Sequence, residues 1–350
     1  MKEIIRQGLK KPSKVPEYVM GRVREIGYAI GYTTGFLEFT QYPRHIVLYI
    51  GLGCNIKCSF CGCKYVPTHG NFDFNNIYKL EKPIKLVHNI SITAYGEPML
   101  SPNFDKVLDY IFSVNDKCLI DMATNGTLLT SQFAEKISGK FSVISVSINA
   151  ATKEVYNREM ENGDFDKLIK SISSFQNALP KSDRCKTELH LCAYTDTYKE
   201  MPELVRLARK IGIATVRVGQ YMANHEQNMG KSLLNIKETY NNKVDETKSV
   251  AYNNGVIFLA DKFGEAKKNK CFSPFSEIVI SNDGNTAPCC WSDFGDKHKS
   301  MGNIYETSFD DVWFGAVYKK LRRHPLPFCY SCPYLLPFDD PRVHIPRRMW

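Results

Sequence analysis

The chain has 350 residues, is 43% hydrophobic and 24% charged, and carries a formal net charge of +9. That is the composition of a globular protein with room for one large α/β domain and a smaller one. No run of about 18 apolar residues occurs, which excludes a transmembrane helix, and residues 1–12 carry Lys and Arg but no apolar signal-peptide core. A cytoplasmic chain is expected. Disulfides are rare there, so the twelve cysteines read as metal or redox sites. The basic balance favours an anionic partner, such as a phosphorylated small molecule, a nucleic acid or a membrane surface. It is equally the balance of a solvated surface with surplus lysine.

Residues 1–44 form an N-terminal segment. Apolar spacing through Val19, Val23, Ile26 and Ile30 predicts a helix. The following aromatic stretch, Gly27 to Phe39, fits packing on the main domain or peripheral contact with a membrane surface. From His45 short apolar runs alternate with amphipathic stretches. Strands are expected at Ile46–Ile50, Ile90–Ala94, Cys118–Ala123, Val143–Ile148, Glu188–Ala193 and Thr215–Val218. Helices are expected at Asn103–Ser113, Ser131–Ser138, Phe165–Leu179 and Met201–Ile211. The alternation predicts βαβ units and a parallel sheet, an α/β fold whose six units close a partial barrel over residues 45–222. Its functional end is where the strands end. Residues 223–270 read as a polar helical connector and a strand, Val256–Ala260. From Cys271 to residue 335 the composition shifts to Cys, Pro, Asp and aromatics, a small second domain. Residues 336–350 are a basic tail.

Gly53-Cys54-Asn55-Ile56-Lys57-Cys58-Ser59-Phe60-Cys61 follows the first predicted strand. Cys54, Cys58 and Cys61 can wrap one small cluster from one loop, and soft thiolates favour iron–sulfur or zinc. A 4Fe–4S cluster takes four cysteines, so three leave one iron open. Cys63 is an alternative fourth ligand, which gives a plain electron-transfer or zinc site, although it lies close to Cys61 for two ligands of one cubane. Tyr95-Gly96-Glu97-Pro98 ends the second predicted strand. Ala123-Thr124-Asn125-Gly126-Thr127 ends the third in a turn. Ser145, Ser147 and Asn149 share one face of the fourth, an arrangement suited to a ribose or carboxylate. Arg158 follows, shortly before Gly163-Asp164-Phe165.

The Cys-x3-Cys-x2-Cys loop, with Phe60 before its last cysteine, resembles that of the radical S-adenosylmethionine (SAM) superfamily. The resemblance implies that the open iron chelates the amino and carboxylate groups of SAM. One electron then yields methionine and a 5′-deoxyadenosyl radical, which takes a hydrogen atom from substrate. It makes Cys63 a non-ligand. Tyr95-Gly96-Glu97-Pro98 is similar to the family's Gly-Gly-Glu-Pro motif, with Tyr95 in place of the first Gly. That likeness implies that the turn's backbone and Glu97 hold the methionine amino group. The resemblance also implies that Thr124, Asn125, Ser147 and Asn149 line the SAM pocket and that Arg158 pairs with the SAM carboxylate.

A second cysteine group begins at Cys271. Twelve residues separate it from Gly284, which sits in the hairpin turn of Ile280 to Asn285, and four more lead to Cys289. Cys290 follows, and Cys329 and Cys332 form a Cys-x2-Cys pair. Such a pair, joined by two distant thiols, closes a four-thiolate site for iron–sulfur or zinc. The arrangement resembles the SPASM/twitch C-terminal domain of radical SAM enzymes. It implies one auxiliary 4Fe–4S cluster on Cys271, Cys289, Cys329 and Cys332, with Cys290 competing for the place of Cys289. A fully ligated cluster conducts electrons, so two outcomes are expected. One is dehydrogenation; the other is epimerisation, with Cys192 on the fifth predicted strand returning a hydrogen atom and Cys118 and Cys185 as weaker donors.

Families of this kind modify peptides or carbohydrate-like molecules. The N-terminal 44 residues look too short for a leader-peptide-binding domain, which tilts the expectation toward a sugar, an aminoglycoside-like molecule or a nucleotide-linked metabolite. An electron donor such as a flavodoxin or ferredoxin is implied. Two other classes compete. One is a non-enzymatic two-cluster electron carrier, against which the Gly-Glu-Pro and Ser-x-Asn features stand. The other is a zinc-stabilised nucleic-acid-binding protein, although no recognition module or aromatic–basic stripe is present.

Overall fold

The computed structural model describes residues 26, 41–62, 70–222, 226–265, 271–290, 300–324, 329, 330, 332 and 336. The expected helix through Val19 and Ile30, Cys63 and the basic tail fall almost wholly outside that set. Among the described residues there are eleven strands: β1 (His45–Gly53), β2 (Lys57–Cys58), β3 (Asn89–Gly96), β4 (Leu119–Thr124), β5 (Phe141–Ser147), β6 (Met160–Glu161), β7 (Thr187–Ala193), β8 (Thr215–Gln220), β9 (Ile257–Ala260), β10 (Glu277–Ile280) and β11 (Thr286–Ala287). Nine of them form one sheet in the order β11-β10-β1-β3-β4-β5-β7-β8-β9. All its pairings are parallel except the β10–β11 hairpin.

The six-unit alternation expected from sequence is present as β1, β3, β4, β5, β7 and β8, each expected strand matched within a few residues. Period-2 alternation gives the sheet two different faces. Ile90, Ile92, Ile120, Met122, Ile144, Val146, Leu189 and Leu191 are buried beneath the helical layer. There they meet Val107, Leu108 and Ile111 of helix Phe104–Val114, and Leu168, Ile172 and Phe175 of helix Phe165–Ala178. Each such side chain contributes roughly 1.5–3 kcal/mol of burial. Thr93, Tyr95, Ala123, Ser147, His190 and Cys192 lie on the other face and line one cavity. Amphipathic strands and helices therefore pack on one side and leave a lined hollow on the other.

Two features differ from the sequence expectation. Strand β9, from the presumed connector, pairs with β8 and extends the sheet. The hairpin of the second domain also joins this sheet, because β10 pairs with β1. The reason is burial: Ile278, Val279 and Ile280 are all 0% exposed, an apolar run that must be covered on both faces. The boundary at Cys271 is thus one of composition and not of the sheet.

The C-terminal helices dock through Trp313, which is fully buried. Its indole Nε1 donates to the carbonyl of Gln41 at 2.8 Å, ahead of β1. The guanidinium of Arg322 lies 4.3 Å from the ring centroid, and its Nη1 donates to the Trp313 carbonyl at 2.8 Å. Burial lowers the Arg322 pKa to about 10. Trp313→Ala should cost about 3–5 kcal/mol. Thermal unfolding of the variant is expected to show the C-terminal segment released before the sheet.

Candidate functional site

A cavity of about 660 Å³ opens at the strand ends. Cys54, Cys58 and Cys61 contribute to its wall from the loop after β1, with Phe60 beside them. Opposite stand Tyr95 and Gly96 after β3, Thr124 and Asn125 after β4, Ser147 and Asn149 at β5, and Cys192 at β7. Most of the site residues singled out in the sequence are therefore brought together. His190 also lines the cavity and was missed. Its signal was its position two residues before Cys192, on the same face of one strand. Burial pushes the His190 imidazole below its ordinary range, so it is neutral at pH 7.

The cysteine loop is positioned by a backbone contact that only glycine permits. Gly96 stands in register with Gly53 and has φ 139°; a Cβ there would lie 1.8 Å from the Gly53 carbonyl oxygen. The Glu97 amide donates to that same oxygen at 2.9 Å. Glu97 is 2% exposed. Its carboxylate accepts from Thr124 Oγ1 at 2.8 Å, from the Asn125 amide at 2.7 Å and from the Met99 amide at 3.2 Å. Burial raises its pKa, and these three donors oppose the shift. Asn125 Nδ2 in turn donates to Asn55 Oδ1 at 2.8 Å and reaches Cys54 Sγ at 3.5 Å. Three successive loops are thus locked into one wall. The Glu97 carboxylate is bonded to the Thr124–Asn125 turn, and neither it nor Pro98, which starts the following 3-10 turn, lines the cavity.

On the other side Phe60 packs 5.0 Å from Tyr194 and 5.8 Å from Tyr221. Its carbonyl accepts from Tyr221 OH at 3.0 Å and Asn228 Nδ2 at 3.2 Å. Asn149 adopts a left-handed φ of 55°, which Asn tolerates better than most residues, and its Oδ1 accepts from the Cys192 amide at 2.8 Å. Burial and the neighbouring Cys61 push the Cys192 thiol up to about 12. The other proposed donors are elsewhere: Cys118 is buried next to Asp121, Cys185 is exposed, and neither lines the cavity. Arg158 Nε donates to the adjacent Glu159 at 2.8 Å, and its side chain is 59% exposed outside the cavity lining.

The thiols themselves indicate what the wall would hold. Burial, then mutual charge, raises Cys58 well above the usual thiol range, and burial raises Cys54. Ionising two such neighbouring thiols together is costly unless a cationic group compensates, as iron does when it binds thiolates. Three soft thiolate donors on one loop suit an iron–sulfur cluster. In the C-terminal segment Cys271 and Cys290 each feel the charge of Cys332 and of Glu277, while Cys289 neighbours Tyr318. The thiols of Cys271 and Cys290 thus lie within electrostatic reach of Cys332.

Two substitutions test this wall in the metal-free chain. Gly96→Ala should destabilise by about 3 kcal/mol or more, since backbone must move. Glu97→Gln should cost about 1–3 kcal/mol, since one amide oxygen cannot satisfy the same buried donors. Denaturant unfolding of both variants checks these values.

Comparison with known proteins agrees with the geometry. The model of the radical SAM superfamily matches residues 48–208, and that of SPASM, an iron–sulfur cluster-binding domain, matches residues 271–333. The GTP 3′,8-cyclase of Clostridium botulinum is 22% identical over 273 residues, 73% of this chain and 82% of that protein. The AdoMet-dependent heme synthase of Methanosarcina barkeri is 23% identical over 314 residues, 82% of this chain and 86% of that protein. In fold, the chain is similar to Streptococcus suis SuiB bound to precursor peptide SuiA, with a TM-score of 0.62 at 18% identity over 84% of this chain and 70% of that one. It is also similar to anSMEcpe with bound AdoMet, with a TM-score of 0.63 at 17% identity over 85% and 87% of the two chains. The chain belongs to the radical SAM superfamily, with SAM and a 4Fe–4S cluster as cofactors and a SPASM iron–sulfur cluster-binding domain at its C-terminal side.

Proposed function

We propose that this radical SAM enzyme removes a hydrogen atom from a peptide or carbohydrate-like substrate and that the net reaction is a dehydrogenation. The observation that carries the reading is one cavity whose wall holds three cluster-loop cysteines beside hydroxyl, amide and imidazole groups from four strand ends. When bound, cluster and SAM supply the 5′-deoxyadenosyl radical. Cys54, Cys58 and Cys61 would hold the cluster. The backbone at Tyr95–Gly96 and the side chains of Thr124, Asn125, Ser147 and Asn149 would orient SAM, and Phe60 closes the loop side. Cys271, Cys289, Cys329 and Cys332 would hold an auxiliary cluster, the sink for the second electron. Peptide substrates gain support from SuiB, which was seen with a precursor peptide. The net charge of +9 suits an anionic substrate of either class.

Epimerisation is the second reading, favoured by Cys192. Its thiol lines the cavity and is protonated at neutral pH, so it holds a hydrogen to give.

The test is anaerobic reconstitution with iron and sulfide, followed by incubation with SAM, reductant and panels of peptides and aminosugars. About eight irons are expected, falling to about four in the Cys54/Cys58/Cys61→Ala variant together with loss of 5′-deoxyadenosine. A product lighter by two hydrogens, formed equally by Cys192→Ala, is the dehydrogenation result. A product of unchanged mass that requires Cys192 overturns it in favour of epimerisation.

A further inference from the structure

Between two of the cluster cysteines the chain is gripped by a buried charge network that lies outside the cavity. β2, which contains Cys58, pairs with β6, so that Cys58 faces Met160. The Ser59 amide donates to the Glu159 carbonyl at 2.8 Å, and Ser59 Oγ donates to the Glu159 carboxylate. That carboxylate is almost fully buried, with the Glu159 residue 5% exposed. It also accepts from Tyr194 OH at 2.7 Å and from Arg158 Nε at 2.8 Å. Lys231, from the 3-10 turn Glu226–Lys231, completes the network. Its Nζ donates to Ser59 Oγ at 3.2 Å and pairs with Asp196 at 3.1 Å and Glu159 at 3.7 Å. It also lies 4.7 Å from the centre of the Tyr194 ring.

We propose that Glu159 and Lys231 are positioning residues for the SAM-activating cluster, fixing the Cys58–Cys61 segment and setting the cluster's reduction potential through their opposite charges. Three arguments support this. The network converges on Ser59, the residue directly after a ligand cysteine. A carboxylate so buried is retained only with full partnering, and here every partner belongs to the loop or to an element that packs on it. The potential of an iron–sulfur cluster responds to nearby charge and hydrogen bonding, and charges under low exposure are poorly screened. A negative charge beside the cluster disfavours adding an electron, and a positive charge favours it. The proposal rests on the cluster at Cys54, Cys58 and Cys61 and not on the substrate chemistry above.

The test is an EPR-monitored redox titration of reconstituted protein, comparing the parent with Glu159→Gln and Lys231→Met. The auxiliary cluster serves as internal reference. The expected result is a SAM-binding cluster potential that rises in Glu159→Gln and falls in Lys231→Met, with the auxiliary potential unmoved. A merely structural role does not produce shifts of opposite sign. Both potentials unmoved, or both displaced in the same direction, would overturn the proposal. Lys231 is the less buried of the two, with its side chain 23% exposed, so Lys231→Met alone decides the matter if Glu159→Gln does not fold: a fall supports the proposal, and no fall overturns it.

Discussion

The site depends on the close approach of two backbones at Gly53 and Gly96. The Gly53 carbonyl sits where a side chain at residue 96 would have to be, and it accepts the amide of Glu97. From that contact the rest follows. Gly53 precedes the first cluster cysteine, so anchoring it sets the start of the loop. Glu97 follows the contact, and its buried carboxylate draws in the turn after β4. Asn125 of that turn reaches back to Cys54 and Asn55. The loop that carries the thiols is therefore built from three parallel strand ends, which a parallel sheet places side by side.

The other half of the loop is held by different physics. Phe60 is packed between aromatic rings, and its carbonyl is capped by Tyr221 and Asn228. Ser59 is held by an ion network around the buried Glu159 carboxylate. The two supports differ in kind. The first rests on a glycine backbone contact and the buried Glu97 carboxylate, the second on the Glu159–Lys231 ion network around Ser59. Between the supports lies a wall of thiols whose ionisation is disfavoured until a cationic cluster binds.

Much of this was legible in the sequence because it is local. The spacing of Cys54, Cys58 and Cys61 is a loop property, and alternation along the fourth predicted strand put Ser147 and Asn149 on one face, both of which line the cavity. What escaped was non-local. The donors that hold the Glu97 carboxylate come from a turn 27 and 28 residues later. Nothing local in the sequence shows that Glu159 is buried and takes the Nε of the adjacent Arg158. The start of the second domain at Cys271 agrees with the SPASM match at residues 271–333, but composition could not show that its hairpin, through the full burial of Ile278, Val279 and Ile280, joins the main sheet.

The central claim is that the loop triad leaves one iron open for SAM while the C-terminal cysteines leave none. Low-temperature EPR of the reduced protein, recorded with and without SAM, tests it most directly. The account predicts that SAM alters the signal of one cluster only, and that this signal is the one lost in Cys58→Ala. A spectrum indifferent to SAM, or a SAM-sensitive signal that survives Cys58→Ala, would contradict it.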